Sequence, residues 1–459
     1  MATTSQDPSP HQSPTPGVRD VLLTGGLVVT LFLSACTSSD SDPQQEAAAT
    51  EQAGGEAEDQ EVDNEVQETP AGVDPRAGGP LVNEAGFDVV GVAYNDIDYD
   101  VKPAGSALGG ERDRPGFPPP LIPPSNIVPV LGPDGIPAID NPEFRPVDEV
   151  DFVEPNEAVV VVDINEEVRA YPIQIMVWHE IVNDEVGGVP VSVTYCPLCN
   201  SALAYDRRVG DRVLDFGTSG SLYQSALVMY DRQTESLWTH FTGEGAVGHY
   251  AGARLDLIPV QTLSFEEFAA LHPDGLVLTR DTGASRDYGV NPYISYDEET
   301  TEPIDDFFQG DVDPRLEPKA RVVGFIWEET AHAVTIEVGD TPTVHQVPVG
   351  GETVVIFQHP GLASALDRAS VASGRDVGQT GVFAPASPNG DLLTFSIVGN
   401  EIVDDQTEST WTVTGKAVDG PLAGEQLTPV GHLNTFWFAW ATYHPDTSIY
   451  DPETGSDDG

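Results

Sequence analysis

One octet occurs twice in this chain, and it restricts the possible folds more than any other feature. Asp231-Arg-Gln-Thr-Glu-Ser-Leu-Trp238 returns as Asp404-Asp-Gln-Thr-Glu-Ser-Thr-Trp411. Ala246-Val247, Ala251-Gly252, Pro259-Val260 and His272-Pro-Asp274 recur, in the same order, as Ala417-Val418, Ala423-Gly424, Pro429-Val430 and His444-Pro-Asp446. Ser201-Ala-Leu-Ala-Tyr-Asp-Arg207 is echoed by Ser364-Ala-Leu-Asp-Arg368. A single octet can agree by chance, but an ordered series of matches points to duplication. The body therefore divides into two halves, residues 147–286 and 316–450, joined by a connector over 287–315. Two copies are too few for a solenoid. The expected architecture is a pseudo-symmetric pair of repeated halves sharing one core.

Within each half the patterning is mainly β with short helices, an α+β class. Ala158 to Asp163 is a valine run of buried-strand type, with a turn at Glu166-Glu167 and a return strand to Tyr171. Pro172 is placed to open a short helix that carries Met176, Trp178 and His179. Ser264 caps a second helix, with Glu266 and Glu267 in its first turn. The corresponding stretch of the second half, Phe436-Trp-Phe-Ala-Trp440, is far more apolar. It reads as a helix buried on several sides, where the halves meet.

The halves differ at one place that matters chemically. Val191, Val193 and Tyr195 alternate with Ser192 and Thr194, a half-buried strand pattern. The strand breaks at Cys196-Pro-Leu-Cys-Asn200, where proline fixes φ and asparagine tolerates positive φ, so a tight turn carries both thiols. Leu203 and Tyr205 resume a strand, and 208–212 forms a hairpin return. The second half has Phe357-Gln-His-Pro360 instead, so one half is expected to be active and the other structural.

Three readings of the thiol turn stand side by side. As a metal knuckle, Cys196 and Cys199 would be joined by His179 and by Met176 one turn earlier, with Met229 and His240 as further options. A His, Met and two Cys set suits copper better than zinc, because the ligands are soft. As a redox dithiol, Cys-x-x-Cys has the spacing of disulfide exchange. As a structural pair, the sulfurs would only fill space or cross-link. His179-Glu180 followed by Asn183-Asp184 lacks the second histidine of the His-Glu-x-x-His zinc pattern, so Glu180, Asn183 and Asp184 are expected to hold a loop. Gly217-Thr-Ser-Gly220 lacks the features of a serine elbow or a phosphate loop and is expected to be a tight turn. The repeated octet, present in the half without thiols, is expected to serve folding, with Asp and Thr capping a loop and Trp in the core.

Arg169-Ala-Tyr-Pro172, Trp178-His-Glu-Ile-Val-Asn-Asp184, Thr194-Tyr-Cys-Pro-Leu-Cys199, Phe216-Gly-Thr-Ser-Gly220, Val228-Met-Tyr-Asp-Arg232 and Ser236-Leu-Trp238 resemble the signature blocks of an uncharacterised family, the domain of unknown function 3179. The resemblance runs from about Ile127 to Tyr450. It implies a secreted or lipid-anchored protein of haloarchaea or bacteria, and it brings no activity, substrate or cofactor.

The N-terminus supplies an address of its own. Val21 to Leu33 is an apolar run suited to a signal peptide, and it ends in Leu33-Ser-Ala-Cys36, which resembles a lipobox. Residues 1–36 are thus expected to direct export and to leave lipid on Cys36. That places the protein on the outer face of the cytoplasmic membrane, with the membrane as its partner. Residues 37–80, acidic and without aromatic residues, form a disordered tether, 81–146 a proline-rich irregular lead-in, and 451–459 an acidic tail. Across the chain 75 acidic residues face 20 basic ones, for a net charge of −55. Such a surface needs salt to screen its self-repulsion, as in a halophile, and it repels the phosphates of nucleic acid. Two further function classes remain beside metal or redox chemistry: a non-catalytic ligand- or partner-binding surface protein, and a hydrolase, for which no nucleophile–base pair stands out.

Overall fold

A computed structural model of the protein describes residues 106–108, 117–387 and 390–452, and the backbone of Ser456–Asp457. Cys36, the apolar run before it and the tether lie outside the described residues. None of the described helices is long and apolar enough to cross a membrane.

The protein is mainly β. The valine run forms the strand Ala158–Ile164, paired antiparallel with Glu167–Pro172. Asn165 and Glu166 turn the chain at positive φ (49° and 67°). Helix α1 spans Ile173–His179, with Pro172 as its N-cap rather than its first turn, because Pro172 is still the last residue of the strand. Helix α2 spans Phe265–Leu271, and the Ser264 hydroxyl accepts from the Glu267 amide at 3.2 Å, the cap its sequence predicts. Helix α3 spans Trp437–Tyr443.

Three sheets formed by 128–278 are matched, strand for strand over most of their width, by three formed by 321–457. One runs Gln261–Ser264, Ala158–Ile164, Glu167–Pro172, Leu276–Leu278, Phe144–Pro146; the other runs His432–Phe436, Arg321–Trp327, Thr330–Thr335, Ser448–Asp451, Ser456–Asp457. In each, the strand that follows α2 or α3 joins parallel to its neighbour, Leu276 opposite Arg169 and Ser448 opposite His332. A second sheet orders Leu257–Ile258, Ser201–Asp206, Val189–Cys196, Ile181–Val186, and another Thr428–Pro429, Gln379–Ala384, Glu352–His359, Thr343–Val349. The third pair carries the octets. One core cluster takes Val159, Phe265 and Phe268 from the first stretch and Phe357, Phe383 and Trp411 from the second.

The octets are built alike. Asp231 accepts the Thr234 amide (2.6 Å), the Thr234 hydroxyl (2.8 Å), the Ser236 amide (3.2 Å) and the Trp238 indole N–H (3.0 Å). Asp404 accepts the Thr407 amide (2.6 Å) and hydroxyl (2.8 Å), the Ser409 amide (3.1 Å) and the Trp411 indole N–H (3.0 Å). These are the loop cap and core tryptophan expected of a folding element.

Two expectations are corrected. Gly217 to Gly220 is not a tight turn but part of the strand Phe216–Tyr223, with a register shift between Thr218 and Ser221. Gly220 sits there at φ +71°, where a Cβ would lie 2.3 Å from the Leu131 carbonyl oxygen, so the glycine serves a bulge against the lead-in segment. The echo of Ser201 to Arg207 at Ser364 to Arg368 is not positional. Ser201–Asp206 is a strand, whereas 364–368 lies in irregular chain between two strands, the second of which occupies the corresponding place in its sheet.

Helix α3 is buried along nearly its whole length, as its aromatic run predicts. It has no side-chain cap; instead the amides of Trp437 and Phe438 donate to the carbonyls of Ala320 and Pro318. Its Tyr443 ring stacks on Phe241 with centroids 4.4 Å apart, and meets Tyr223 edge-on. That packing seats α3 against Phe241 and Tyr223 of the 128–278 stretch.

Candidate functional site

Val189–Cys196 and Ser201–Asp206 are antiparallel neighbours, with Cys196 opposite Ser201. Between them Asn200, at φ 50°, closes the turn with its amide on the Pro197 carbonyl (3.3 Å). Both cysteines are free thiols, and both are buried, at 1% and 0% exposure. The Cys199 sulfur lies 3.1 Å from the Ser201 hydroxyl, which in turn lies 2.8 Å from His240 Nε2. His240 is fully buried, and its carbonyl accepts from the Tyr205 hydroxyl at 2.7 Å. Its Nδ1 has no hydrogen-bond partner among the described residues. Cys199 and Ser201 are two residues apart in sequence; the approach of a second sheet adds the imidazole, 39 residues further on.

The turn is sealed from two directions. The Cys199 carbonyl accepts the Thr435 hydroxyl (2.7 Å) and the Phe436 amide (3.1 Å), both at the entrance to α3. From the connector, the Tyr296 hydroxyl donates to the Leu198 carbonyl (3.1 Å). The connector is thus a cover as well as a link, a role its composition does not reveal.

The two thiols are polarised. Burial opposes ionisation of Cys196, yet the Cys199 thiol and the amides of Cys199, Leu227 and Leu198 together hold it below the ordinary thiol range. Burial pushes Cys199 well up, and a thiolate at Cys196 raises it further. Glu180, at the C-terminal end of α1 with φ 60°, is a buried carboxyl near this pair. Burial pushes it well above the usual carboxylate range, and Cys196 adds to that. His240 is driven down to about 3 by burial, against the opposing pull of Ser201.

The structure brings Cys196 and Cys199 together but does not bring His179 to them as a ligand. Its Nδ1 lies 2.6 Å from the Pro137 carbonyl and its Nε2 2.6 Å from the Tyr288 hydroxyl, so both ring nitrogens are used. Burial lowers it to about 4. Met176 is fully buried one turn earlier in α1. Among the described residues no three His, Cys, Asp or Glu side chains converge to hold a metal ion. Asn183 and Asp184 do not hold the next loop as expected; they lie on the strand Ile181–Val186 and tie it to the lead-in and to neighbouring strands. The Asn183 amide spans Asp140 and Phe216, and Asp184 accepts from Arg169 and Tyr171. Nor does Glu180 hold that loop: among the described residues its carboxyl binds none.

A family model described as "Protein of unknown function (DUF3179)" matches residues 133–447. The chain belongs to this family. The match spans both sets of sheets, the thiol turn and the connector that covers it. No curated protein and no solved structure matches the chain.

Proposed function

We propose that Cys196 and Cys199 form a redox-active dithiol that exchanges with a small disulfide on the outer face of the cell. The observation that carries this reading is the polarised pair, with the Ser201–His240 hydrogen bond behind Cys199. In the first step the Cys196 thiolate attacks one sulfur of the external disulfide. A mixed disulfide forms and one thiolate departs. Cys199 then attacks the Cys196 sulfur, closing the Cys196–Cys199 bond and releasing the second thiolate. The Ser201 hydroxyl, held by His240, supports the negative charge at Cys199 while its proton leaves with a departing thiolate. Two thiols are oxidised and one disulfide is reduced. Because both sulfurs are buried, exchange requires local opening, and the Tyr296 contact with Leu198 is the cover that must lift.

Copper remains the competing occupant, since two thiolates suit a soft ion. A closed zinc site, by contrast, needs four ligands. The lipobox at Cys36 and the acidic surface support the location: a lipid-anchored extracytoplasmic protein of a halophile. The matching strand orders and octet geometries support two pseudo-symmetric halves, of which only the first carries thiols.

The experiment is equilibration of the native protein, in molar salt, with small dithiol–disulfide buffers, followed by mass analysis and metal analysis. The expected result is a reversible Cys196–Cys199 disulfide, with Cys199→Ser trapping a mixed disulfide on Cys196. Stoichiometric copper retained by the native protein and lost in both serine variants establishes the metal reading instead. Thiols that neither oxidise in the native state nor hold metal would leave a structural pair, and with it a non-catalytic binding protein.

A further inference from the structure

We infer that the cavity beside the thiol turn is a binding site for a compact carboxylate. Its walls come from both halves and include Tyr195, Asn200, Thr262, Arg321, Thr380 and Asn434. At about 60 Å³ it has room for roughly four to six waters, or an anion of acetate size.

The lining is rich in donors whose acceptors are already committed. Asn434 Oδ1 accepts from the Thr380 hydroxyl (2.9 Å), and Asn200 Oδ1 accepts from the Tyr195 hydroxyl (3.2 Å). Each amide therefore has an NH₂ group still to satisfy, and neither NH₂ has a protein partner among the described residues. Arg321 donates through Nη2 to Asp297 (3.0 Å) and to the Ser364 hydroxyl (2.8 Å), while its buried Nε has no partner among the described residues. The two amides and the Arg321 guanidinium thus belong to the lining of one small space. Donors without a protein partner gain from an acceptor ligand.

Charge selects a monoanion. Arg321 is the one lining side chain with a full charge, and no acidic residue lines the cavity. Asp297 is shared between Arg321 and Arg375, the latter at 2.9 Å, so two guanidinium groups face one carboxylate and a single positive charge is left over. Two ligand oxygens can use separate donors at a fixed spacing, which a spherical halide cannot. The site touches the thiol turn through Asn200 and Tyr195, yet the inference stands on the cavity alone and does not depend on the redox reading.

The test is titration of the full chain with carbon-13 acetate in molar potassium chloride, followed by saturation-transfer NMR. Saturable binding is expected despite the excess of chloride, and Asn434→Leu should weaken it at least tenfold with the circular dichroism and thermal midpoint unchanged. Arg321→Lys, which keeps the charge but loses the planar guanidinium, should weaken it similarly. Since Arg321 also pairs with Asp297, Asn434→Leu decides the matter if that variant fails to fold. Absence of saturable acetate binding to the folded wild type, or equal binding by Asn434→Leu, overturns the inference.

Discussion

Replacing Asp231 or Asp404 with alanine tests the duplicated element most directly. Each carboxylate is buried, at 0% exposure, and accepts four hydrogen bonds from its own octet. Alanine would strand two backbone amides and an indole N–H, together with a threonine hydroxyl that retains its serine neighbour. An unsatisfied buried donor costs about 1–3 kcal/mol, and donors sharing one acceptor do not add in full. Release of the buried carboxylate from its apolar surroundings offsets part of the loss. The net expectation is about 3–5 kcal/mol for either variant, in the upper range for single substitutions. Asparagine should cost less, about 1.5–3 kcal/mol. Its oxygen can take the place that serves three donors, but its NH₂ then faces the Thr234 or Thr407 amide. Urea unfolding in molar salt, followed by tryptophan fluorescence, reads both sites because Trp238 and Trp411 are the indole partners. A loss under about 1 kcal/mol at either site would refute the folding role. A difference above about 2 kcal/mol between the alanine variants would refute equivalence of the two copies.

Acid should destabilise the protein through its buried histidines. His240, held at about 3, stays neutral in the fold but titrates near 6.5 when unfolded. Below pH 6.5 the unfolded chain therefore binds more protons, and stability falls as pH drops from 6.5 toward 3, by about 2 kcal/mol at pH 5 from this residue. His240→Gln should flatten the stability–pH curve over that window, and an unchanged slope would refute the assignment. Lowering salt from about 1 M to about 10 mM lengthens the screening distance from about 3 to about 30 Å, so a chain of net charge −55 should lose thermal stability; an unchanged midpoint would show that the acidity is not a salt adaptation. Cys36→Ser should release the protein from membranes into the medium, and a variant still in the membrane fraction would point to another anchor.

Much of the fold is legible because it is local. The valine run, the Ser264 cap, the turn at Asn200 and the aromatic α3 follow from periodicity, capping and backbone preference over a few residues. Gly217 to Gly220 misleads because glycine-rich turns and bulged strands share a composition, and only the approach of Leu131 separates them. The candidate site was legible in part. Cys196 and Cys199 stand out by spacing and His240 is among the possible partners, but nearness in sequence favours His179 over it.

The sequence by itself determined that this is a mainly β chain with a recurring octet and one thiol-bearing turn, because strand alternation and an octet that caps its own loop act at short range. Only the tertiary structure decided which groups meet that turn. Two different sheets meet there, so that Ser201 reaches His240, while Pro137 and Tyr288 occupy both ring nitrogens of His179. Hydrogen bonds from the Cys199 thiol and nearby amides then hold Cys196 below Cys199 against the opposing effect of burial, while burial pushes the Glu180 carboxyl well above the usual carboxylate range. Such convergence depends on how distant segments stack and on how much water they exclude, and neither is encoded in the spacing of residues along the chain.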